Sequence, residues 1–196
     1  MLNTVSYDGP AGTPLIIAHG LFGSARNWNV IAKRLSERRP VVTVDMRNHG
    51  ASPWRDTQSY ADMAADLAEV IDGQANVLGH SMGGKAAMVL ALQHPDKVRK
   101  LVVADIAPIA YTHTQMGPIA AMRRVDLSAV KTRADAAAQL TGLEAGVDTF
   151  LLQSLDLKEH KWKLNLDVLA AEMDQIVGFP EVSGQFEGLA LFLSGS

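Results

Sequence analysis

The chain has 196 residues, 47% hydrophobic and 20% charged, with a formal net charge of −3 and no cysteine. That length suffices for one domain with a sizeable core, and the even, slightly acidic balance argues against nucleic acid or an anionic membrane surface as a partner. The missing thiols exclude a disulfide framework, a thiolate nucleophile and a thiolate metal site.

In chain order, the polar start "MLNTVSYDGPAG" has no basic region followed by an apolar run. No later stretch reaches the roughly 18 apolar residues of a membrane helix, so a cytoplasmic protein without a membrane span is expected. "PLIIAHG" (14–20) reads as a strand buried on both faces. "SARNWNVIAKRLSER" (24–38) places Trp28, Ile31, Ala32 and Leu35 at helical spacing, with Ser24 as a cap. "PVVTVDMR" (40–47) is a second buried strand, followed by the turn "NHGASPW". "SYADMAADLAEVID" (59–72) is an amphipathic helix with Met63, Leu67, Val70 and Ile71 on one face. "ANVLGHS" is a third strand, "MGGKAAMVLALQH" (82–94) a helix apolar on most of its surface, and "VRKLVVADIAP" (98–108) a fourth strand. Strands alternating with helices imply right-handed crossovers and a parallel sheet, with ligands beyond the carboxyl ends of the strands.

The rhythm then changes. From Ile109 to about Glu187 there are helical patterns and no clear buried strand, so a helical cap is expected over 109–187. Strand character returns at "GLALFLSGS" (188–196). The expected division is a core over 1–108, the cap over 109–187 and a last core strand over 188–196.

The chemistry gathers at the strand ends. Gly79-His80-Ser81-Met82-Gly83 is a G-x-S-x-G sequence between a strand and a buried helix. In that setting the glycines permit a sharp turn that lifts the serine hydroxyl above the sheet, and the helix N-terminus favours developing negative charge. "HGLFGS" (19–24) follows the first clear strand. Acyl transfer needs backbone N–H groups aimed at the oxyanion, and the amides of Leu21 and Met82 are placed for it. In "DMRNHGAS" (45–52), Arg47, Asn48 and His49 read as residues that hold a loop by hydrogen bonds.

These three motifs, in this order, resemble the α/β-hydrolase superfamily, closely over residues 14–108 and loosely to the last strand. The run "LVVADIAPIAY" is similar to the small bacterial esterases of the YbfF type. The resemblance implies an α/β-hydrolase fold with a cap, and hydrolysis of short acyl esters or thioesters without a cofactor or metal. Of the two usual sites for the triad acid, after the fourth strand or after the last, it implies Asp105 at the first, with a residue beyond Ser196 as the alternative. A non-catalytic relative that binds a small molecule or partner in the cap cleft is the alternative. A carboxylate nucleophile, as in dehalogenases and epoxide hydrolases, does not fit Ser81.

The base is the open question. The six histidines are His19, His49, His80, His94, His113 and His160, and none follows the last strand. His80 is expected to point beneath the nucleophile. The order serine, acid, histidine is therefore incomplete, and the chain reads as a C-terminally incomplete esterase with turnover barely above background. For the substrate pocket, Phe22 and Tyr111 are candidate lining residues, with Leu21, Met82, Met116 and Trp162 as further apolar residues that could equally be core. Nothing in the sequence speaks to oligomeric state.

Overall fold

The computed structural model describes residues 1–195; Ser196, the last residue of the expected final strand, lies outside them. The chain opens with β1 (Thr4–Tyr7), β2 (Leu15–Ala18), α1 (Asn29–Ser36), β3 (Val41–Val44), α2 (Tyr60–Val70), β4 (Ala75–His80), α3 (Met82–Gln93) and β5 (Val98–Ala104). The segment expected as a cap, and so called below, follows with α4 (Met116–Arg124), α5 (Arg133–Gln139), α6 (Val147–Leu151), the short pair β6 (Leu155–Asp156) and β7 (Lys161–Trp162), α7 (Leu166–Ala171) and α8 (Met173–Val177). The chain then returns to the sheet as β8 (Leu189–Leu193).

The six-stranded sheet has the order β1-β3-β2-β4-β5-β8. Only β1 runs antiparallel, against β3. This is the α/β arrangement expected from the alternating pattern. In the parallel part Ala18 pairs with Gly79, His80 with Ala104, and Ala104 with Leu193. The chain therefore leaves β2, β4 and β5 at one edge of the sheet, and the loops carrying His19, Ser81 and Asp105 emerge side by side.

Burial explains the placement. β2 is buried at all four positions, and α3 buries ten of its twelve residues. A helix apolar nearly all round is stable only when covered on most sides, and α3 lies against the sheet and α2, with Lys85 reaching the end of α8. Val77, Leu67, Met63, Leu90 and Val103 meet in this core, which continues into the cap through Ile119, Met122, Leu151 and Leu169.

Several expectations change. β1 escaped the sequence reading because its burial pattern is exposed, and its residues carry no apolar run. The helix expected over 24–38 begins as a 3-10 turn (Ala25–Trp28) before α1. Ile31 is 47% exposed, while Ala32 is buried and Trp28 and Leu35 pack around it. The cap is not purely helical, because β6 and β7 pair antiparallel within it. Beyond α8, residues 178–188 form no helix and lead directly into β8, which is exposed at all five positions. No helix among the described residues is long and apolar enough to cross a membrane.

Candidate active site

Ser81 adopts φ 52° and ψ −119° between β4 and α3. For a residue with a side chain this left-handed backbone costs about 1–3 kcal/mol, so the surroundings must enforce it. Ser81 N–H donates to the Ala104 carbonyl at 3.0 Å, and its own carbonyl accepts from Gly84 N–H at 2.8 Å and Lys85 N–H at 3.1 Å. A Cβ on Gly79 would collide with the Gly83 carbonyl, and one on Gly83 would lie 2.5 Å from the carbonyl oxygens of both Ala18 and His19. The glycines at each side of Ser81 let β4, α3 and the end of β2 meet at backbone distance, as the motif predicts.

The loop after β2 approaches just as closely. A Cβ on Gly20 would lie 3.1 Å from that of Ser81. Two buried histidines hold this loop. His19 Nδ1 donates to the Gly20 carbonyl (2.7 Å) and its Nε2 accepts from Met46 N–H (2.9 Å). His49 Nδ1 donates to the Arg47 carbonyl (2.8 Å) and its Nε2 accepts from Phe22 N–H (3.2 Å). Each ring both donates and accepts, which requires the neutral Nδ1–H tautomer. The rings lie 5.2 Å apart. Burial drives His19 down to about 4, partly opposed by its hydrogen bond to Gly20 and by Asp45. Burial and the neighbouring His19 drive His49 down to about 3.

Phe22 sits at φ 63° with its N–H held by His49, next to Leu21 in the loop that approaches Ser81. Among the described residues neither the Leu21 nor the Met82 amide donates to a protein acceptor. Unpartnered amides at a helix N-terminus and an adjacent turn are the groups an oxyanion needs.

The loop after β3 is structural. Arg47 donates to Asp66 (2.6 Å), Thr57 (2.8 Å) and the Asp62 carbonyl (3.2 Å). Asn48 donates to Gln58 and the Thr57 carbonyl, and accepts from Arg55 N–H and from Asn165 of the cap. Asp45 accepts from Ala25 N–H, Ala51 N–H and Asn3. The loop's polar atoms are thus consumed in holding the loop after β2, residues 163–165 and the N-terminal segment together.

Ser81 opens into a cavity of about 490 Å³ between sheet and cap. Leu21, Phe22, Met82 and Tyr111, all expected there, line it, together with Ile106, Phe150 and Ile176. Met116 and Trp162 do not. Trp162 is buried within the cap, its Nε1 donating to the Met122 carbonyl at 3.0 Å, and Met116 begins α4 partly exposed. His80 also lines the cavity, with its ring centre 6.1 Å from that of Trp28. Partial burial lowers its pKa, and the charge of Asp105 opposes that shift.

Asp105 itself sits at φ 57° just past β5, exposed, with its N–H donating to the Leu193 carbonyl at 2.7 Å. It borders the site near His80 without lining the cavity. The histidine hydrogen bonds among the described residues involve neither the Ser81 hydroxyl nor the Asp105 carboxylate. Among those residues no group of three or more His, Asp or Glu is arranged to hold a metal ion.

The sequence reading passed over Lys85 and Tyr60. Lys85 is 1% exposed, and its ammonium donates to the carbonyls of Val177 (2.9 Å) and Gly178 (2.5 Å) 4.8 Å from the centre of the Tyr111 ring. Burial lowers its pKa to about 8. Tyr60 donates to the Ile176 carbonyl. A single cation inside an otherwise apolar helix, four residues after the serine, was the available signal.

The alpha/beta hydrolase fold family model matches residues 13–188. The chain is 43% identical to mouse (Mus musculus) sn-1-specific diacylglycerol lipase ABHD11, over 96% of the chain and 67% of that protein. It is 40% identical to Esterase YbfF of Escherichia coli (strain K12), over 93% of the chain and 74% of that protein. Among solved structures, a marine microorganism esterase superposes with a TM-score of 0.91 at 41% identity, covering 98% of this chain and 80% of the other. The chain spans about two thirds of the length of the vertebrate relatives it matches.

Proposed function

Because the chain belongs to the α/β-hydrolase fold family, we propose that it is a carboxylic ester hydrolase that cleaves acyl esters or thioesters through an acyl-enzyme at Ser81. The observation that carries this reading is the meeting of Ser81, in its enforced left-handed turn, with the free Leu21 and Met82 amides at one apolar cavity. The Ser81 hydroxyl attacks the acyl carbonyl carbon, and the carbonyl oxygen becomes an oxyanion held by the two amides. The proton leaves Ser81 to a base, the alkoxide or thiolate departs protonated, and water then releases the acid by the same route. Phe22, Tyr111 and the apolar walls seat the acyl chain. The naming of relatives as an esterase and a diacylglycerol lipase supports an acyl ester as substrate class.

Asp105 is the acid of this reading: it would orient an imidazole and stabilise its charged form. Since no described histidine is hydrogen-bonded to Ser81 or Asp105, turnover by these residues alone is weak. The test is hydrolysis of p-nitrophenyl butyrate by the 196-residue chain and by Ser81→Ala. Slow hydrolysis that disappears in Ser81→Ala is expected. Equal rates for the two proteins would overturn the nucleophile, and would favour a binding role for the cleft. Rapid Ser81-dependent turnover would overturn the weak-base reading while keeping the nucleophile.

A further inference from the structure

Three successive carbonyls end the cap's last helix, those of Ile176, Val177 and Gly178, and each is met by a donor from the core. Tyr60 of α2 donates to Ile176, and Lys85 of α3 donates to both Val177 and Gly178. Val177 also accepts from Tyr111 N–H at 3.0 Å. The last carbonyls of a helix have no partner within it, and a cation there is favoured by the helix dipole. Other polar attachments of the cap lie elsewhere, Gly50 N–H to Lys163 and Asn165 to Asn48 on the loop after β3, and Asn27 to Gln153 before α1. Among the described residues, the Lys85 side chain supplies the hydrogen bonds between α8 and the helix that carries Ser81 at its N-terminus, and Ile176 and Val177 are themselves cavity walls.

We propose that Lys85 is a latch that fixes α8 against the nucleophile helix and so sets the width of the acyl pocket, making it a positioning residue that selects acyl chain length. Its consequence for substrate rests on the esterase reading above; the latch does not. A lysine held in this way acts through the main chain of α8 and touches no reacting atom.

The experiment compares the full chain with Lys85→Met, Lys85→Arg and Tyr60→Phe by hydrogen exchange and by calorimetric binding of decanoate and butyrate, the carboxylate products of long and short acyl esters. Lys85→Met is expected to accelerate exchange across 173–178 while β2 and β4 keep their protection, and Lys85→Arg to restore part of the loss. Tyr60→Phe, which removes a single donor and no charge, should give a smaller loss in the same segment. The preference between decanoate and butyrate should change about tenfold in Lys85→Met, the scale of a methylene in an apolar pocket. Unchanged exchange in α8, or faster exchange spread evenly through the sheet, would overturn the latch. Loss of Ser81 labelling by a fluorophosphonate in both lysine variants with α8 unaltered would also overturn it, because the amine would then act on the serine. If the parent chain binds neither carboxylate, the esterase reading fails while the exchange data still decide the latch.

Discussion

Lowering the pH from 7 to 5 should destabilise the fold through His19 and His49. Both are fully buried, neutral, and use both ring nitrogens. Their folded values lie near 4 and 3 against 6.5 when unfolded. Between those limits the unfolded chain binds more protons than the folded one, so stability is complete above about pH 6.5 and falls as the pH drops. At pH 5 each histidine withdraws about 2 kcal/mol, together about 4 kcal/mol, out of a typical 5–15 kcal/mol for a domain. His80, also lowered by burial, acts in the same direction. Ordinary carboxylates change charge mostly below this window, so the histidines dominate it. Urea unfolding followed by circular dichroism at pH 7, 6 and 5 reads the effect, with a midpoint shift on the order of 1–2 M. His49→Gln, whose amide can still donate and accept, should make the pH dependence shallower by about half. A midpoint independent of pH between 7 and 5 would refute the neutral pair.

Two other perturbations follow from the same geometry. Gly83→Ala places a methyl 2.5 Å from two main-chain carbonyls, and should cost about 3 kcal/mol or more by thermal denaturation and distort the Ser81 turn; a melting temperature equal to that of the parent would contradict it. Arg47→Met leaves Asp66, 15% exposed, without its guanidinium, and should cost on the order of 3 kcal/mol, whereas the double change Arg47→Met with Asp66→Leu should recover much of the loss.

What the sequence disclosed follows from which constraints are local. The strand–glycine–serine–glycine–helix pattern around Ser81 is a steric demand within five residues, so it is legible without neighbours. The same holds for the alternation of apolar runs that predicts the parallel sheet. β1 was not legible, because an exposed edge strand owes its conformation to pairing with β3 and not to its own residues. Trp162 was weighed as a pocket residue, but an aromatic side chain in a helical insertion shows only that it is buried; the Met122 carbonyl that receives its N–H lies 40 positions away. Lys85 shows the converse case. Its charge was visible in "MGGKAAMVLALQ", but its partners are 92 and 93 residues distant, and only the folded cap brings them within reach.

The seam between β5 and β8 gives the site an uneven mechanical footing. Ser81 and the Leu21 loop rest on strands at the centre of the sheet, where opening requires the whole core to come apart. Asp105 is tied by its N–H to Leu193, in a strand exposed at every position and paired along one side only. Edge strands open at lower cost than central ones, so hydrogen exchange is expected to be faster at Asp105 than at Ser81. An added clamp on β8 would slow exchange at Asp105 and leave that at Ser81 unchanged.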